Sequence, residues 1–242
     1  IAWSGAGVLG AAMVVVVGGA ALGDRHTVLR AFVAGCVLLG ALSAAIAWVQ
    51  VFAPAWADGN WVARSSLVGR AVGNVRQPNH LATLMLAAAV ALVPWAMRGG
   101  GPRVWQLARP GLAWLMFALF LGTINLSGSR TGALGVAVLA LWGLLDRRLP
   151  GRPRLMLLLG PLVYAATWVG MDWWSQAQGA AFGSATRLAG GDLSSSRFAI
   201  WRDTVALVAQ QPWLGVGFGE FNLAWSMTPF ANRPSAFFDH TH

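Results

Sequence analysis

Lysine is absent from this 242-residue chain, glutamate occurs once, at Glu220, and cysteine occurs once, at Cys36. A single cysteine excludes an internal disulfide and a metal site built from cysteines. Charged residues are also scarce, at 10% of the chain, whereas a soluble domain carries about 25%. Because 57% of the residues are hydrophobic, the sequence indicates an integral membrane protein.

The positive charge of the chain comes from its arginines and gives a formal net charge of +9. No basic run alternates with aromatic residues as a nucleic-acid-binding surface would require, so nucleic acid is not an expected partner. Arginine carries a planar fork that binds phosphate in two places at once. The position of the arginines relative to a membrane therefore decides which of them can bind a phosphate-bearing ligand.

Six apolar segments are long enough, or nearly so, to cross about 30 Å of hydrocarbon as helices. They predict an all-α fold, a polytopic transmembrane helical bundle with spans near residues 2–22, 29–51, 81–97, 111–126, 131–145 and 155–173. A transmembrane domain is accordingly expected at 1–173 and a large, partly helical loop at 174–242. Because the chain starts in apolar sequence and stops in polar sequence, we expect an internal fragment of a larger membrane protein.

The orientation of the spans follows from the arginines near their ends. Three short connections, 23–28, 98–110 and 146–154, hold densely spaced arginines, and such loops are cytoplasmic by the positive-inside rule. The longer segments then face the opposite side, because long loops cross largely regardless of their charge. Ionisable groups are nearly absent from the span centres, which disfavours an ion-coupled transporter. The arginines on the outer side are Arg64, Arg70, Arg76, Arg130, Arg187, Arg197, Arg202 and Arg233.

The first outer motif occupies residues 73–80 and leads directly into a span. Pro78 and Asn79 favour a helix start, and Gln77 can both donate and accept hydrogen bonds. A helix N-terminus at this place directs free N–H groups and the positive end of its dipole outward, which favours an anion. The alternative is an ordinary capped span whose polar residues lie in the headgroup zone.

The second outer motif is the turn at residues 125–132. Ser127 and Ser129 offer hydroxyl groups, Arg130 offers its guanidinium, and the small residues allow the backbone to approach a ligand. Because the turn opens the fifth predicted span, a second helix N-terminus faces the same side. The alternative is a tight helical hairpin with a snorkelling arginine.

The segment 174–242 supplies further candidate groups. A helix is predicted from Ser194 to about Gln210, and Arg197 near its N-terminus is the arginine that we expect to face a site. His240 and His242 lie at the end of the segment, and histidine is well suited to deprotonating a hydroxyl group. Two histidines do not make a metal site, and the alternative is a pair of interfacial histidines that bond to their neighbours.

Taken in order, these motifs resemble a known family. The run Arg76-Gln77-Pro78-Asn79-His80 at the start of a span is similar to the signature of PglL-type bacterial protein O-oligosaccharyltransferases. The turn at 127–132 resembles the core of the wider O-antigen ligase and polymerase (Wzy_C, WaaL-like) family, as do residues 197–201, 212–217 and 240–242. The resemblance implies a GT-C type glycosyltransferase that is inverting, independent of metal and without a cofactor.

The resemblance also implies roles for individual residues. The implied catalytic base is His242, with His240 as the alternative. The implied diphosphate and donor ligands are Arg130, Arg197, Arg76, Ser127 and Ser129, and the implied substrate-positioning residues are Gln77, Asn79 and His80.

The implied donor is a glycan on undecaprenyl diphosphate, and the implied acceptor is a Ser or Thr hydroxyl of a periplasmic or pilin-like protein. The protein is then expected among the lipids of the bacterial inner membrane, with its site facing the periplasm. Two alternatives remain within the family, an O-antigen ligase that uses lipid A-core as acceptor and an O-antigen polymerase. An alternative from another class is a non-enzymatic lipid or polysaccharide transporter.

Overall fold

The structure is a computed structural model that describes residues 24–65, 69–97, 102–179, 195–213, 215 and 221–230, with the backbone alone at 195–200 and 222. Regular structure in this part of the chain is entirely helical, which confirms the predicted all-α fold. A short 3-10 helix, Pro54–Trp56, follows the first α-helix. The α-helices are α1 (Arg25–Phe52), α2 (Pro78–Ala96), α3 (Arg103–Ser127), α4 (Arg130–Leu145), α5 (Gly151–Leu158), α6 (Gly160–Gln178), α7 (Ser195–Gln210) and α8 (Phe221–Met227).

The chain divides into two compact units, residues 1–187 and 188–242. In the second unit α8 packs on α7 through a small apolar cluster built from Leu207 and Trp225. The Trp225 ring is buried, and its centroid lies 4.9 Å from that of Phe230. Burial of this aromatic surface stabilises the contact between the two helices.

The first unit is a helical bundle in which α2 contacts α1, α3 and α4. Ala88 and Ala89 of α2 are fully buried beside larger core residues such as Met85, Leu92 and Phe120. Small residues allow helix backbones to approach closely, as in helix pairs within membranes. Large apolar side chains remain exposed on the outward faces, and on α1 these are Leu29, Phe32, Leu38, Leu39 and Leu42. A surface of this kind suits lipid, so the first unit is a membrane helix bundle.

The helix boundaries follow local capping chemistry. Asp24 caps α1 by accepting a hydrogen bond from the His26 N–H at 3.0 Å. Pro78 occupies the first turn of α2, where its missing N–H leaves no bond unmade. Ser129 caps α4, and Gly128 ends α3 with φ +60, a left-handed conformation that glycine adopts without steric strain.

Of the six spans predicted from hydropathy, five fall in the described part of the chain, and not all of these five are full-length helices. In the described residues α1, α2 and α3 are long and apolar enough to cross a membrane, and α5 with α6 form a fourth only as one bent span. The α4 helix has 16 residues, about 24 Å at 1.5 Å per residue. The α5–α6 pair bends by 47° beside Pro161, which lacks an N–H and clashes with the preceding turn. The predicted span at 2–22 lies outside the described residues.

One end of this bundle, the site end, is where α1 and α3 end and α2 and α4 begin. Gly132 of α4 faces Ala82 of α2, and Gly135 faces Leu86 one turn further along, so the two helices run parallel. A Cβ added to Gly132 would lie 2.9 Å from the Ala82 Cβ, so glycine is what allows this approach. Both helices therefore present their N-termini at the site end.

Candidate functional site

The start of α2 is held in an unusual backbone conformation. Arg76 has φ +55, which is uncommon for a residue with a Cβ, and its N–H donates to the Gly73 carbonyl at 3.2 Å. Gln77 is the extended N-cap residue, and its carbonyl accepts from the Leu81 N–H at 3.0 Å. Its side-chain Oε1 is buried and makes no hydrogen bond within the described part of the chain. A buried acceptor without a partner costs free energy, so a hydrogen-bond donor that paired with this atom would be stabilising.

The turn between α3 and α4 is built by two buried serines. The Ser127 Oγ donates to the Ile124 carbonyl at 2.6 Å and accepts from the Ser129 N–H at 3.2 Å. The Ser129 Oγ accepts from the Gly132 N–H at 3.2 Å and so caps α4. Because both side chains are buried, they shape the turn from inside.

A side-chain hydrogen bond joins this turn to the start of α2. The Ser129 Oγ donates to the Asn79 Oδ1 at 2.9 Å, and it also lies 2.9 Å from the Thr131 Oγ1. Asn79 belongs to the first turn of α2, and Thr131 belongs to the first turn of α4. The structure thus brings together the two motifs that the sequence places about fifty residues apart.

The exposed groups at the starts of α2 and α4 include side chains with positive charge or hydrogen-bond donors. Arg130 is the first residue of α4 and is exposed, as are Arg76 and His80 at the start of α2. Each helix N-terminus adds the equivalent of about half a positive charge from its unpaired N–H groups. Two such ends beside two arginine side chains favour an anionic ligand.

The loop before α2 is attached to the turn by an arginine that the motifs did not single out. The Nε and Nη2 of Arg70 both donate to the Ser127 carbonyl, at 3.1 and 2.9 Å. The next residue, Ala71, donates its N–H to the Leu126 carbonyl at 2.9 Å. Arg70 therefore satisfies a carbonyl at the C-terminus of α3, where a cation is favoured by the helix dipole. The sequence alone marks Arg70 only as one of the arginines on the outer side.

The same loop is attached to α1 by a buried amide. Gln50 is only 6% exposed, and its Oε1 accepts from the N–H groups of Val72 and Gly73 at 3.0 and 2.9 Å. Its Nε2 donates to the Ala63 carbonyl at 2.6 Å and, at a longer 3.4 Å, to the Gly73 carbonyl. The available signal in the sequence was a lone amide near the end of an otherwise apolar span.

Residues 58–62 form a second turn of the loop around a carboxylate. The Asp58 Oδ1 accepts from the backbone N–H groups of Asn60, Trp61 and Val62 at 3.1, 2.9 and 2.9 Å. These bonds, that of Val62 most of all, lower the pKa of Asp58 below its ordinary value of 3.8. Asn74 completes the attachment, because its Oδ1 accepts from the Ala63 N–H at 2.9 Å and its Nδ2 donates to the Trp61 carbonyl at 2.7 Å.

The structure describes no side chain for three of the predicted site residues. Arg197 belongs to α7 in the second unit, and its side chain lies outside the described part. His240 and His242 lie outside the described residues altogether. Over the residues that the structure describes, no group of three or more His, Cys, Asp or Glu side chains is placed to hold a metal ion.

Comparisons with known proteins give two family matches that meet at this site. Residues 115–242 match a family described as O-antigen ligase, and residues 71–95 match a family described as protein glycosylation ligase. The first match includes the turn around Ser129, and the second includes the Gln77-Pro78-Asn79 segment. No curated protein and no solved structure matches the chain.

Proposed function

Because this chain belongs to the O-antigen ligase family, we propose that it is an O-linked glycosyltransferase that moves a glycan en bloc from undecaprenyl diphosphate to a hydroxyl group. The two family matches confirm the resemblance drawn from the motifs, and they indicate a membrane enzyme of the ligase type with a lipid-linked glycan donor. The bacterial inner membrane, with the site end facing the periplasm, is the location that we propose.

The transfer that we propose has a simple balance of bonds. The acceptor oxygen forms a bond to the anomeric carbon, and the bond from that carbon to the diphosphate oxygen breaks. The base takes the hydroxyl proton, and the diphosphate leaves with the bonding electron pair. Attack from the face opposite the leaving group inverts the anomeric configuration. The proposed base is His242, with His240 as the alternative.

Stabilisation of the leaving diphosphate is the part of the reaction that the described residues support. The observation that carries the proposal is the Ser129–Asn79 hydrogen bond of 2.9 Å, because it holds the N-termini of α2 and α4 side by side. Fixed dipoles and Arg130 then meet growing negative charge without reorganising, and without the need for a metal ion. Arg76 is proposed to assist, and Arg197 of the second unit is the other proposed ligand.

The remaining predicted residues take positioning roles in this proposal. The exposed His80 and the buried acceptor of Gln77 would orient donor or acceptor at the start of α2. The side-chain oxygens of Asn79, Ser127 and Ser129 form hydrogen bonds within the α3–α4 turn and between this turn and α2. We therefore propose that these three hold the two helix ends, whereas Arg130 contacts the donor.

The acceptor that we propose is a Ser or Thr hydroxyl of a periplasmic or pilin-like protein. The support is the match of residues 71–95 to a protein glycosylation ligase family, since this segment contains the Gln77-Pro78-Asn79 motif. Lipid A-core, as in O-antigen ligation, is the second candidate because the longer match carries that description. The third candidate reaction is polymerisation, in which the acceptor is another glycan repeat.

The test uses the full-length protein in membrane vesicles with undecaprenyl diphosphate-linked glycan and either a pilin or lipid A-core as acceptor. Glycan attached to the pilin supports the proposed acceptor, whereas transfer only to lipid A-core replaces it by the ligase activity. Arg130→Ala and His242→Ala are expected to lower transfer, by about 10²- to 10³-fold for the lost charge contact. Arg147→Ala, exposed beyond the other end of α4, and His26→Ala, exposed at the start of α1, are the matched controls.

The same variants distinguish an enzyme from a transporter. A transporter would keep glycan attachment unchanged in Arg130→Ala and His242→Ala, while the flux of lipid-linked glycan across the vesicle membrane falls. The proposed enzyme predicts the reverse pattern, in which attachment falls and flux stays at the wild-type level.

A further inference from the structure

Gln50 lies in the last turn of α1, outside both segments that match known families. We propose that Gln50 is a positioning residue for glycosyl transfer, which acts by fixing the backbone that presents Arg76 and Gln77. The inference rests on the proposed function and adds to it a residue on a helix to which the comparisons assign no role.

Gln50 uses both ends of its side-chain amide in hydrogen bonds to the loop. A primary amide has two N–H donors and an oxygen with two lone pairs. The Gln50 Oε1 accepts from Val72 and Gly73, and its Nε2 donates to Ala63 and Gly73, so both ends of the amide are directed at the loop. The side chain is buried, and loss of the amide would leave several backbone groups buried without partners.

Gly73, which Gln50 holds, is in direct contact with the start of α2. Gly73 has φ +59, and a Cβ at this position would lie 3.0 Å from the Leu81 Cδ1, so its backbone packs directly on the first turns of α2. The Gly73 carbonyl also accepts from the Arg76 N–H and so closes the turn that places Arg76 at φ +55. Gln77 follows at once as the N-cap of α2. A shift of Gly73 is therefore transmitted to both residues.

The loop before α2 is also attached, separately, to the turn between α3 and α4. Arg70 and Ala71 bond to the carbonyls of Ser127 and Leu126, which belong to the end of α3. The loop thus has one anchor on the α3–α4 turn and another on Gln50 of α1. Release of the Gln50 anchor alone loosens the backbone at Val72 and Gly73 and leaves the α3–α4 turn attached.

The test compares Gln50→Met, which keeps an unbranched side chain of similar length, with Thr123→Val as the matched control. The control removes a partly buried hydrogen bond that α1 makes, from Trp48 Nε1 to Thr123 Oγ1 at 3.1 Å, and the bond from Thr123 Oγ1 to the Leu119 carbonyl at 2.8 Å, but it does not touch the loop. Transfer from lipid-linked glycan is measured with the full-length protein in vesicles. We expect Gln50→Met to lower kcat/KM on the order of 10²-fold, the effect of a small misplacement of site residues, and Thr123→Val to stay close to wild type.

A double-mutant cycle with Gln77→Ala separates positioning from general destabilisation. If Gln50 acts through Gln77 and its neighbours, the double variant loses much less activity than the product of the two single effects. Independent effects that multiply fully would overturn the inference, as would equal losses in Gln50→Met and Thr123→Val. If Gln50→Met does not fold, Asn74→Ala loosens the same loop from its exposed side, and a wild-type kcat/KM in that variant overturns the inference.

The proposed function fails in a different way. A wild-type protein that transfers glycan to no acceptor overturns the proposed function, and the role of Gln50 falls with it. An active wild type with an unaffected Gln50→Met variant overturns only the role of Gln50.

Discussion

The Ser129 hydroxyl group donates to the Asn79 side-chain oxygen at 2.9 Å and also accepts from the Gly132 N–H. One side chain therefore caps α4 and ties it to the first turn of α2. The helix ends at the proposed diphosphate site depend on this serine for their relative position, which a cap on either helix alone would not fix.

Ser129→Ala is expected to lower the free energy of unfolding by about 1–2 kcal/mol, since it removes both a helix cap and a buried hydrogen bond. Asn79→Ala keeps the cap and is expected to cost less. Thermal unfolding of the detergent-solubilised protein measures both. The double variant should lose less than the sum of the single losses, because the two residues share one bond. Fully additive losses would show that the bond contributes nothing.

Gly132→Ala is expected to destabilise the bundle by about 1–3 kcal/mol, as overpacking of a closely packed core does. The added Cβ would meet the Ile124 Cγ2 at 2.6 Å and the Ala82 Cβ at 2.9 Å, so α4 must move away from α2. The control is Gly170→Ala in α6, where a Cβ meets nothing within 4 Å and the helix gains up to about 1 kcal/mol from alanine. Equal unfolding temperatures for the two variants would contradict this account of the contact.

Arg70→Met is expected to lower the free energy of unfolding by about 1.5–3 kcal/mol. Both N–H groups that donate to the Ser127 carbonyl belong to one charged guanidinium, and hydrogen bonds from a charged group are the stronger ones. Arg64→Met is the matched control, since the exposed Arg64 donates a single bond, from Nε to the Ala57 carbonyl at 2.9 Å. Denaturant titration in detergent gives both values. If Arg64→Met lowers the free energy of unfolding as much as Arg70→Met does, the effect comes from the loop in general and not from the bonds to Ser127.

Asp58→Asn is expected to remove a pH-dependent contribution of the loop to stability. The pKa of Asp58 is lowered in the folded protein, so its carboxylate stabilises the fold above the ordinary value of 3.8, and this contribution disappears as the pH falls through the lowered pKa. The difference in unfolding temperature between wild type and variant should therefore be present at about pH 6 and shrink below the ordinary pKa. Both proteins keep Asp24, whose pKa is lowered by the Thr27 side chain and the His26 N–H, so its contribution cancels. A difference that grows on acidification would contradict the role of the carboxylate.

Hydropathy and capping patterns predicted most of the helices, since apolar length and terminal residues act locally. Pro78 and Asn79 were recognisable as helix-start residues, and both lie in the first turn of α2 in the structure. Within the described residues, the predicted span at 131–145 is a helix of only 16 residues, and the apolar window at 155–173 does not reveal the break at Pro161.

The attachment of the loop was not predictable from local patterns. Gln50 and Arg70 bond to backbone carbonyls and N–H groups, which every residue possesses, so no sequence motif marks their partners. The Ser129–Asn79 bond likewise depends on the parallel packing of α2 and α4, which only the folded bundle establishes.

The shortness of α4 has a consequence for the depth of the proposed site. A helix of 16 residues is about 6 Å shorter than the hydrocarbon layer, and such a hydrophobic mismatch is met by local thinning of the bilayer or by sinking one helix end. Arg147 and Arg148 are exposed just beyond the far end of α4, and arginines at such a position would hold that end in the headgroup layer. If α4 crosses the bilayer in the proposed orientation, the shortfall is left to the Ser129–Arg130 end, which would then lie at or below the depth of the lipid headgroups. The proposed donor, a diphosphate carried on a polyprenyl chain, could then reach Arg130 by diffusing laterally, without its lipid tail leaving the bilayer.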